Sequence, residues 1–216
     1  MKSEHSMQNR LIVIEGPIGV GKTSLARLLA QDLKADLVLE KVEENPFLSH
    51  FYQDPDKWAF QVQLFFLLSR SRQLEELVQQ SLFSETTLAD YFFPKDRIFA
   101  YMNLREEELV LYEQIYRLLD PKIPKPDLVV FLQAHTDALL DRIQQRGRAY
   151  EKEISSDYLR NLNEAYNRFF FHYDESPLLV VQTSDIDFVH DPSHLADLAT
   201  QIKQMKKGKE YYHPTS

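Results

Sequence analysis

A glycine-rich segment near the start of the chain constrains the fold more than any other feature. Its residues are Gly16, Pro17, Ile18, Gly19, Val20, Gly21, Lys22 and Thr23. They fit the phosphate-binding pattern G-x-x-x-x-G-K-[ST] at every position. An apolar run at 11–14 precedes the segment, and an apolar pattern of helical spacing follows it at 24–30. A strand, a glycine loop and a helix in this order bring backbone N–H groups and the positive helix end to one point.

The segment therefore predicts a binding site for the phosphates of a nucleotide. Lys22 is expected to reach the terminal phosphates of ATP, and the Thr23 hydroxyl is expected to bind Mg²⁺. The alternative is a glycine-rich turn that binds nothing, and the order of strand, loop and helix argues against it. ATP as phosphate donor and Mg²⁺ are the cofactors that we expect.

Composition and charge narrow the class of protein. The chain has 216 residues, with 33 acidic and 25 basic side chains and a net charge of −8. This balance argues against a nucleic-acid partner, which requires a basic face. The absence of cysteine excludes disulfides, thiolate zinc sites and cysteine nucleophiles. No apolar stretch approaches the roughly 18 residues of a membrane span, and residues 1–10 lack a signal-peptide core, so we expect a cytoplasmic protein with no membrane partner.

Apolar strand segments alternate with helical patterns along the chain. We predict strands near 11–15, 36–40, 87–90, 128–132 and 178–182, and helices near 22–33, 55–82, 104–119, 136–146, 155–173 and 192–205. This alternation predicts an α/β fold in which helices cover both faces of a five-stranded parallel sheet. No repeat or linker divides the chain, so residues 1–216 are expected to form a single domain with flexible termini at 1–9 and 207–216.

Two carboxylates, Glu40 and Asp90, close predicted strands. In parallel sheets, ligands bind beyond the carboxyl ends of the strands, so both side chains are expected at the same edge as the glycine loop. A carboxylate there is able to accept a proton from a reacting hydroxyl. Asp90 is also expected to bind Mg²⁺ together with Thr23. The alternative for each carboxylate is that it only caps the following turn.

The sequence resembles the deoxynucleoside kinases, which transfer the γ-phosphate of ATP to the 5′-hydroxyl of a deoxynucleoside. The resemblance covers nearly the whole chain. After the glycine loop its motifs are Leu39-Glu40-Lys41-Val42, Asn45-Pro46-Phe47, Tyr52, Asp54-Pro55, Trp58-Ala59-Phe60-Gln61-Val62-Gln63, Ser69-Arg70, Asp90, the arginine-rich run 142–148 and Glu151. It implies a P-loop kinase fold with a helical lid, a function in nucleotide salvage and a homodimer.

The resemblance also implies which residues bind the nucleoside. Gln63, Arg70 and Asp96 are expected at the nucleobase. Gln63 and Arg70 are seven residues apart, so a helix points them the same way, and a glutamine amide suits the edge of a base. In the family, the pair formed by Arg70 and Asp96 is found in members that take deoxycytidine or deoxypurines. We therefore expect deoxyadenosine, deoxyguanosine or deoxycytidine as substrate rather than thymidine.

The sugar contacts follow from the same resemblance. Tyr52 and Glu151 match the residues that hold the 3′-hydroxyl, although aromatic packing and a solvated charge are the simpler explanations. Glu40 and Asp90 are expected close to the 5′-hydroxyl. The sequence does not apportion their roles, and we expect Asp90 to accept the proton while Glu40 orients the hydroxyl.

Three arginines, Arg142, Arg146 and Arg148, lie in or just after the predicted helix at 136–146. Arg142 and Arg146 share one helix face, and guanidinium groups bind phosphate oxygens bidentately. The resemblance identifies these arginines as part of a lid that closes over ATP, whereas the alternative is a solvated basic face. The resemblance places two further residues beside the adenine of ATP, Asp187 and Phe188.

The sequence departs from the family at Tyr91, where an arginine usually ties the catalytic carboxylate to the sugar and the phosphate oxygens. Tyr91 is expected to contact the substrate, but it carries no charge. In an alternative register, Asp96 and Arg97 form the acid–arginine pair, although this would bring Pro94 to the strand end. A further possibility is that Arg97 supplies the missing charge from a helix.

Three functions remain open from the sequence. The first is a deoxynucleoside kinase. The second is another small-molecule P-loop kinase, such as one that acts on a nucleoside monophosphate, for which the extra basic clamp is not evident. The third is a nucleotide-binding regulatory protein that has lost turnover together with the arginine at Tyr91.

Overall fold

The computed structural model describes residues 10–80, 85–189 and 191–214. The strands are β1 (Arg10–Glu15), β2 (Asp36–Val38), β3 (Thr86–Ala89), β4 (Leu128–Gln133), β5 (Leu178–Gln182) and β6 (Lys209–Tyr212). The helices are α1 (Lys22–Leu33), α2 (Leu48–Gln53), α3 (Pro55–Gln80), α4 (Asp96–Asn103), α5 (Glu106–Leu119), α6 (Thr136–Arg146), α7 (Ser156–His172) and α8 (Pro192–Gln204). Short 3-10 helices lie at Val42–Glu44, Phe93–Lys95, Asp120–Lys122 and Ala149–Glu153.

The strands form one parallel sheet in the order β2-β3-β1-β4-β5-β6. The central strands β1 and β4 are almost entirely buried, which explains why their sequences are continuous apolar runs. Helices cover the sheet, and the buried core combines strand residues with apolar side chains of α1, α7 and α8. The predicted α/β fold with a parallel sheet is confirmed.

The sheet has six strands rather than the predicted five. The sixth strand, β6, pairs in parallel with β5, and Lys209 Nζ donates hydrogen bonds to the backbone oxygens of Phe170 and Phe171. The prediction of a flexible terminus at 207–216 is therefore wrong over Lys209–Tyr212. The segment is polar because an edge strand is solvated, and this polarity concealed the strand. The predicted flexible N-terminus, residues 1–9, lies outside the described residues.

Other boundaries differ from the prediction around the carboxyl edge of the sheet. The second and third strands end at Val38 and Ala89, so Glu40 and Asp90 lie in the loops just after them. The structure adds a separate helix, α4, which begins at Asp96. The alternative register, in which Asp96 and Arg97 form the acid–arginine pair at the strand end, is therefore wrong. β3 ends at Ala89, whereas both residues lie in the first turn of α4.

A second apolar cluster lies beside the sheet, where α3 packs against α4 and α5. The cluster is rich in aromatic rings and its buried members are Leu67, Leu74, Tyr91, Phe93, Ala100, Tyr112 and Tyr116. It packs α3 against α4, α5 and the 3-10 helix that follows β3. Within the described ranges, no helix combines the length and the apolarity that crossing a membrane requires.

Candidate active site

The glycine loop joins β1 to α1, and two of its glycines have left-handed backbone angles. The φ angles of Gly19 and Gly21 are 87° and 101°. A Cβ on Gly19 would lie 2.7 Å from the Leu139 carbonyl oxygen, and one on Gly21 would lie 2.9 Å from Cζ of Phe188. Glycine is therefore required at both positions, by conformation and by space. The loop brings its backbone to the N-terminal end of α1, where an anion is favoured.

Lys22 lies at the first position of α1. Its Nζ donates hydrogen bonds to the carbonyl oxygens of Gly16, at 2.7 Å, and Pro17, at 3.2 Å. Burial lowers the pKa of Lys22 to about 8, although the charges of nearby carboxylates, Glu15 first, oppose the shift. A phosphate beside this ammonium would restore a full positive charge, because an anion favours the protonated form.

Asp90 connects the glycine loop to the loop after β2. Its Oδ2 accepts a 2.5 Å hydrogen bond from the Thr23 hydroxyl, and its Oδ1 accepts a 2.6 Å bond from the backbone N–H of Glu40. Burial raises the pKa of Asp90, and these two hydrogen bonds oppose the shift. The three residues predicted to surround the phosphates and the 5′-hydroxyl are thus adjacent.

Thr23 and Asp90 are the residues that fit a divalent cation. Hydroxyl and carboxylate oxygens are hard ligands, and Mg²⁺ is commonly held by one or two carboxylates, substrate phosphates and water. In the part of the chain that the structure describes, no group of three or more His, Cys, Asp or Glu side chains forms a complete metal site. A cation here would need nucleotide phosphates to complete its coordination.

Glu40 faces two cations. Arg70 binds Glu40 Oε1 through Nε at 2.7 Å and through a second guanidinium nitrogen, and Lys95 Nζ lies 3.2 Å from Glu40 Oε2. Burial alone would raise the pKa of Glu40, but the charges of Arg70 and Lys95 and the hydrogen bonds from Arg70 lower it to about 2. Glu40 is therefore ionised and is a weak base.

Gln63 and Asp96 form a buried polar pair at the α3 side of the site. Gln63 Nε2 donates to Asp96 Oδ2 at 2.7 Å and to the Asp96 backbone oxygen at 2.8 Å. Asp96 also accepts a 2.9 Å bond from the Tyr112 hydroxyl and forms an ion pair with Arg70. These contacts fix the amide of Gln63 and leave its Oε1 as an acceptor.

One cavity of about 340 Å³ unites most of these groups. Lys22, Thr23, Glu40, Gln63, Arg70 and Asp90 line it. Both predicted sugar contacts also line it, and Glu151 is buried rather than solvated. Tyr52 stacks against Tyr150 with ring centroids 6.3 Å apart. Burial raises the pKa of Tyr52, so its hydroxyl remains a hydrogen-bond donor.

The three arginines of the predicted lid have different surroundings. Arg146 makes a two-pronged pair with Glu151, at 2.7 and 3.1 Å, and Arg148 lies 2.7 Å from Glu43. Both arginines line the cavity. Arg142 is outside the cavity lining and donates a 2.5 Å bond to the Thr183 backbone oxygen, beside the glycine loop.

Three residues have surroundings that differ from those expected from the sequence. Tyr91 is fully buried in the aromatic cluster and is absent from the cavity lining, so its contact with the substrate stays a prediction. Phe188 is buried against Gly21 rather than presented at the surface, while Asp187 is exposed and accepts a bond from the Val189 N–H. Their predicted contact with adenine remains a prediction.

Arg97 does not supply a charge to the cavity. Its guanidinium pairs with both carboxylate oxygens of Glu113, at 2.8 and 2.7 Å, and packs over the ring of Tyr116. The possibility that Arg97 replaces a missing arginine is therefore wrong. The pairing of Arg97 with Glu113 on α5 could not be predicted from the sequence alone.

Sequence reasoning missed two buried charged residues of the site, Lys95 and Glu15. Lys95 lines the cavity, and Glu15 is fully buried at the end of β1. Glu15 accepts hydrogen bonds from the backbone N–H groups of Gly16 and Phe92 and from the Tyr166 hydroxyl. A charged residue that ends an apolar strand directly before a glycine loop was a usable signal for Glu15, whereas Lys95 offered none.

A family model and similar proteins of known activity all indicate the same family. A family model described as "Deoxynucleoside kinase" matches residues 12–207. The chain is 39% identical over 199 residues to a deoxyguanosine kinase of Bacillus subtilis (strain 168), covering 90% of this chain and 96% of the relative. It is 29% identical to a deoxyadenosine/deoxycytidine kinase of the same organism, covering 94% of this chain and 95% of the relative.

Solved structures give the same result. A deoxyadenosine kinase from M. mycoides with bound dCTP superposes with a TM-score of 0.73 at 26% identity, covering 89% of this chain and 98% of that one. The same kinase with bound dATP gives a TM-score of 0.76 at 25% identity, covering 91% and 100%.

Proposed function

The chain belongs to the deoxynucleoside kinase family and is a phosphotransferase, and we propose that it transfers the γ-phosphate of ATP to the 5′-hydroxyl of a deoxynucleoside. The observation that carries the proposal is the convergence of Lys22, Asp90 and Gln63 on one cavity. A phosphate-binding ammonium, a proton-accepting carboxylate and an amide that suits a base edge are what this reaction requires. The reaction would yield a deoxynucleoside 5′-monophosphate, as nucleotide salvage requires.

At the phosphate end, we propose that the backbone of residues 16–21 and the Lys22 ammonium hold the phosphates of ATP. Thr23 and Asp90 would hold Mg²⁺, which supplies charge neutralisation at the phosphates when bound. Arg146 and Arg148 would exchange their present carboxylate partners for phosphate oxygens as the lid closes, because guanidinium binds both anions bidentately. Arg142, Asp187 and Phe188 would border the nucleotide on the other side of the glycine loop.

At the reacting hydroxyl, we propose that Asp90 accepts the proton and Glu40 orients the 5′-oxygen. The pKa values support this division, because burial raises the pKa of Asp90 whereas Arg70 and Lys95 hold the pKa of Glu40 at about 2. A base with the higher pKa takes a proton more readily at neutral pH. Tyr52 and Glu151 would hold the 3′-hydroxyl.

At the base, we propose a preference for adenine, guanine or cytosine. Gln63 lines the cavity and its Nε2 donates two hydrogen bonds to Asp96, which leaves Oε1 as the acceptor available to a base. Adenine, guanine and cytosine each carry an exocyclic amino group that donates to such an oxygen, whereas thymine has none and offers only its N3–H. The 39% identical relative is a deoxyguanosine kinase, so deoxyguanosine is the first substrate to test.

We further propose that residues 1–216 act as one domain and that the active form is a cytoplasmic homodimer. One sheet runs through the described chain from residue 10 to residue 212, which supports a single domain. α4 and α5 carry exposed large apolar side chains, namely Tyr101, Val110, Leu111 and Leu118. An exposed apolar surface of this kind favours a protein partner. A dimer mass in light scattering would support the proposal, and a monomer mass would contradict it.

The experiment is an ADP-release assay with ATP and Mg²⁺ in which deoxynucleosides, deoxynucleoside monophosphates and a blank without acceptor are compared. Turnover with a deoxynucleoside supports the proposal. Turnover with a monophosphate alone would instead support a nucleoside monophosphate kinase. Tight binding of ATP and nucleoside without turnover would support a regulatory protein.

A further inference from the structure

Lys95 is a buried cation inside the proposed active site. It ends the short 3-10 helix Phe93–Lys95 that follows β3, and its side chain is only 3% exposed. Nevertheless it lines the same cavity as Lys22 and Asp90. A lysine is almost never buried to this degree unless it is paired, so its partners decide its role.

Two carboxylates hold the Lys95 ammonium in place. Its Nζ lies 3.4 Å from Glu15 Oε2 and 3.2 Å from Glu40 Oε2. Glu15 is itself fixed by backbone N–H groups of Gly16 and Phe92, on the loops after β1 and β3. The ammonium is therefore positioned by the two strands that carry the glycine loop and Asp90.

The neighbouring cations have other roles. The guanidinium of Arg70 contacts Glu40 and Asp96, and Lys22 at the start of α1 is the proposed partner of the ATP phosphates. An ammonium has three N–H donors, and the two carboxylate contacts of Lys95 leave one of them for a ligand. We propose that Lys95 is a catalytic residue whose third N–H donates to an oxygen of the phosphoryl group during its transfer.

This inference rests on the proposed function. In the reaction the 5′-oxygen forms a bond to the γ-phosphorus, and the bond from that phosphorus to the β–γ bridging oxygen breaks. ADP leaves with the electron pair of the broken bond, and the hydroxyl proton passes to Asp90. Lys95 keeps its own protons throughout and stabilises the charge that develops on the phosphoryl oxygens, an interaction that is stronger in the transition state than with ATP.

A purely structural role for Lys95 predicts different behaviour. If Lys95 only neutralised the buried carboxylate of Glu15, its removal would lower stability without a selective effect on the chemical step. The two roles are separated by measuring kcat, thermal stability and affinity for a transition-state mimic on the same variants.

The experiment uses Lys95→Met, Lys95→Arg and, as a matched control, Lys125→Met at an exposed lysine outside the cavity. For each folded variant, kcat with deoxyguanosine and ATP is measured. Calorimetry then gives the affinities for ADP alone and for ADP with aluminium fluoride and deoxyguanosine. We expect Lys95→Met to lower kcat at least about 100-fold and to weaken the fluoride complex similarly, while ADP alone binds within about threefold of wild type.

Lys95→Arg should recover part of kcat because it restores a charged donor. A folded Lys95→Met protein with kcat within about threefold of wild type would overturn the inference. Equal losses of affinity for ADP and for the complex with aluminium fluoride would also overturn it.

If the Met variant does not fold, a crystal structure of the wild type with ADP, aluminium fluoride and deoxyguanosine decides. Contact between Lys95 Nζ and a fluoride supports the inference, and an intervening gap overturns it. A wild type without nucleoside turnover would overturn the proposed function itself, before any variant is compared.

Discussion

The Thr23 hydroxyl donates a 2.5 Å hydrogen bond to Asp90 Oδ2, which joins the start of α1 to the end of β3. The bond links the proposed phosphate site to the proposed proton acceptor, although the two residues are 67 positions apart in the chain. Since β1 and β3 are neighbours in the sheet, their carboxyl ends bring the two loops together. The geometry of the reaction therefore depends on strand order.

Replacement of Lys22 by alanine should remove the ammonium beside the glycine loop. We expect kcat/KM for ATP to fall by a few hundredfold or more, equivalent to about 3–4 kcal/mol of lost transition-state stabilisation. Steady-state kinetics at saturating nucleoside measures the loss, with Lys125→Ala as the control. A Lys22→Ala protein that retains most of its activity would remove the phosphate assignment.

The pH dependence of ATP use should reflect the lowered pKa of Lys22. Its pKa in the free protein is about 8, so the side chain is charged below this pH and loses its charge as the pH rises above it. We expect kcat/KM for ATP to decline with an apparent pKa of about 8. Lys22→Arg should move the decline to higher pH because arginine stays charged. An unchanged decline in that variant would assign it to another group.

Asp90 and Glu40 should respond differently to removal of their charge. We expect Asp90→Asn to lower kcat by about 100- to 10,000-fold, because the proton acceptor is lost. Glu40→Gln should retain the fall of kcat/KM at acid pH, since the pKa of Glu40 is about 2 and the raised pKa of Asp90 controls that range. Profiles against pH for both variants provide the measurement. If only Glu40→Gln lost the fall of kcat/KM at acid pH, Glu40 rather than Asp90 would be the proton acceptor.

Asp96 should determine base selectivity through Gln63. In Asp96→Asn we expect Arg70 to hold the remaining side-chain oxygen, so that the new NH2 group faces Gln63 and the Gln63 amide turns to present its donor to the base. We expect the ratio of kcat/KM for deoxyguanosine to that for thymidine to fall by about tenfold. A substrate panel measures the ratio, with Asp56→Asn on an exposed part of α3 as the control. An unaltered ratio in a folded variant would show that Asp96 does not set the preference.

Local patterns were sufficient to predict the elements nearest the phosphate site. The apolar run of β1, the glycine loop and the amphipathic α1 each carry their own signal, and α6 and β5 were predicted with their observed bounds. The sequence also predicted that Glu40 and Asp90 meet, because parallel strands end at one edge.

Long-range contacts explain what the sequence could not predict. Lys95 follows a proline in an aromatic segment, and its burial depends on Glu15 and Glu40, which lie 80 and 55 positions away. Tyr91 follows the strand-end carboxylate directly, but its ring is fully buried in the aromatic cluster with Tyr112 and Tyr116. Neither outcome is encoded in a local pattern of residues.

The most direct test of the account is identification of the product made from ATP and deoxyguanosine. The purified protein is incubated with Mg²⁺ and ATP labelled in the γ-phosphate, and the products are analysed by mass spectrometry and phosphorus NMR. The proposed function predicts labelled deoxyguanosine 5′-monophosphate and ADP in equal amounts. Release of inorganic phosphate without a labelled nucleotide, or the absence of labelled product from every deoxynucleoside, would contradict it.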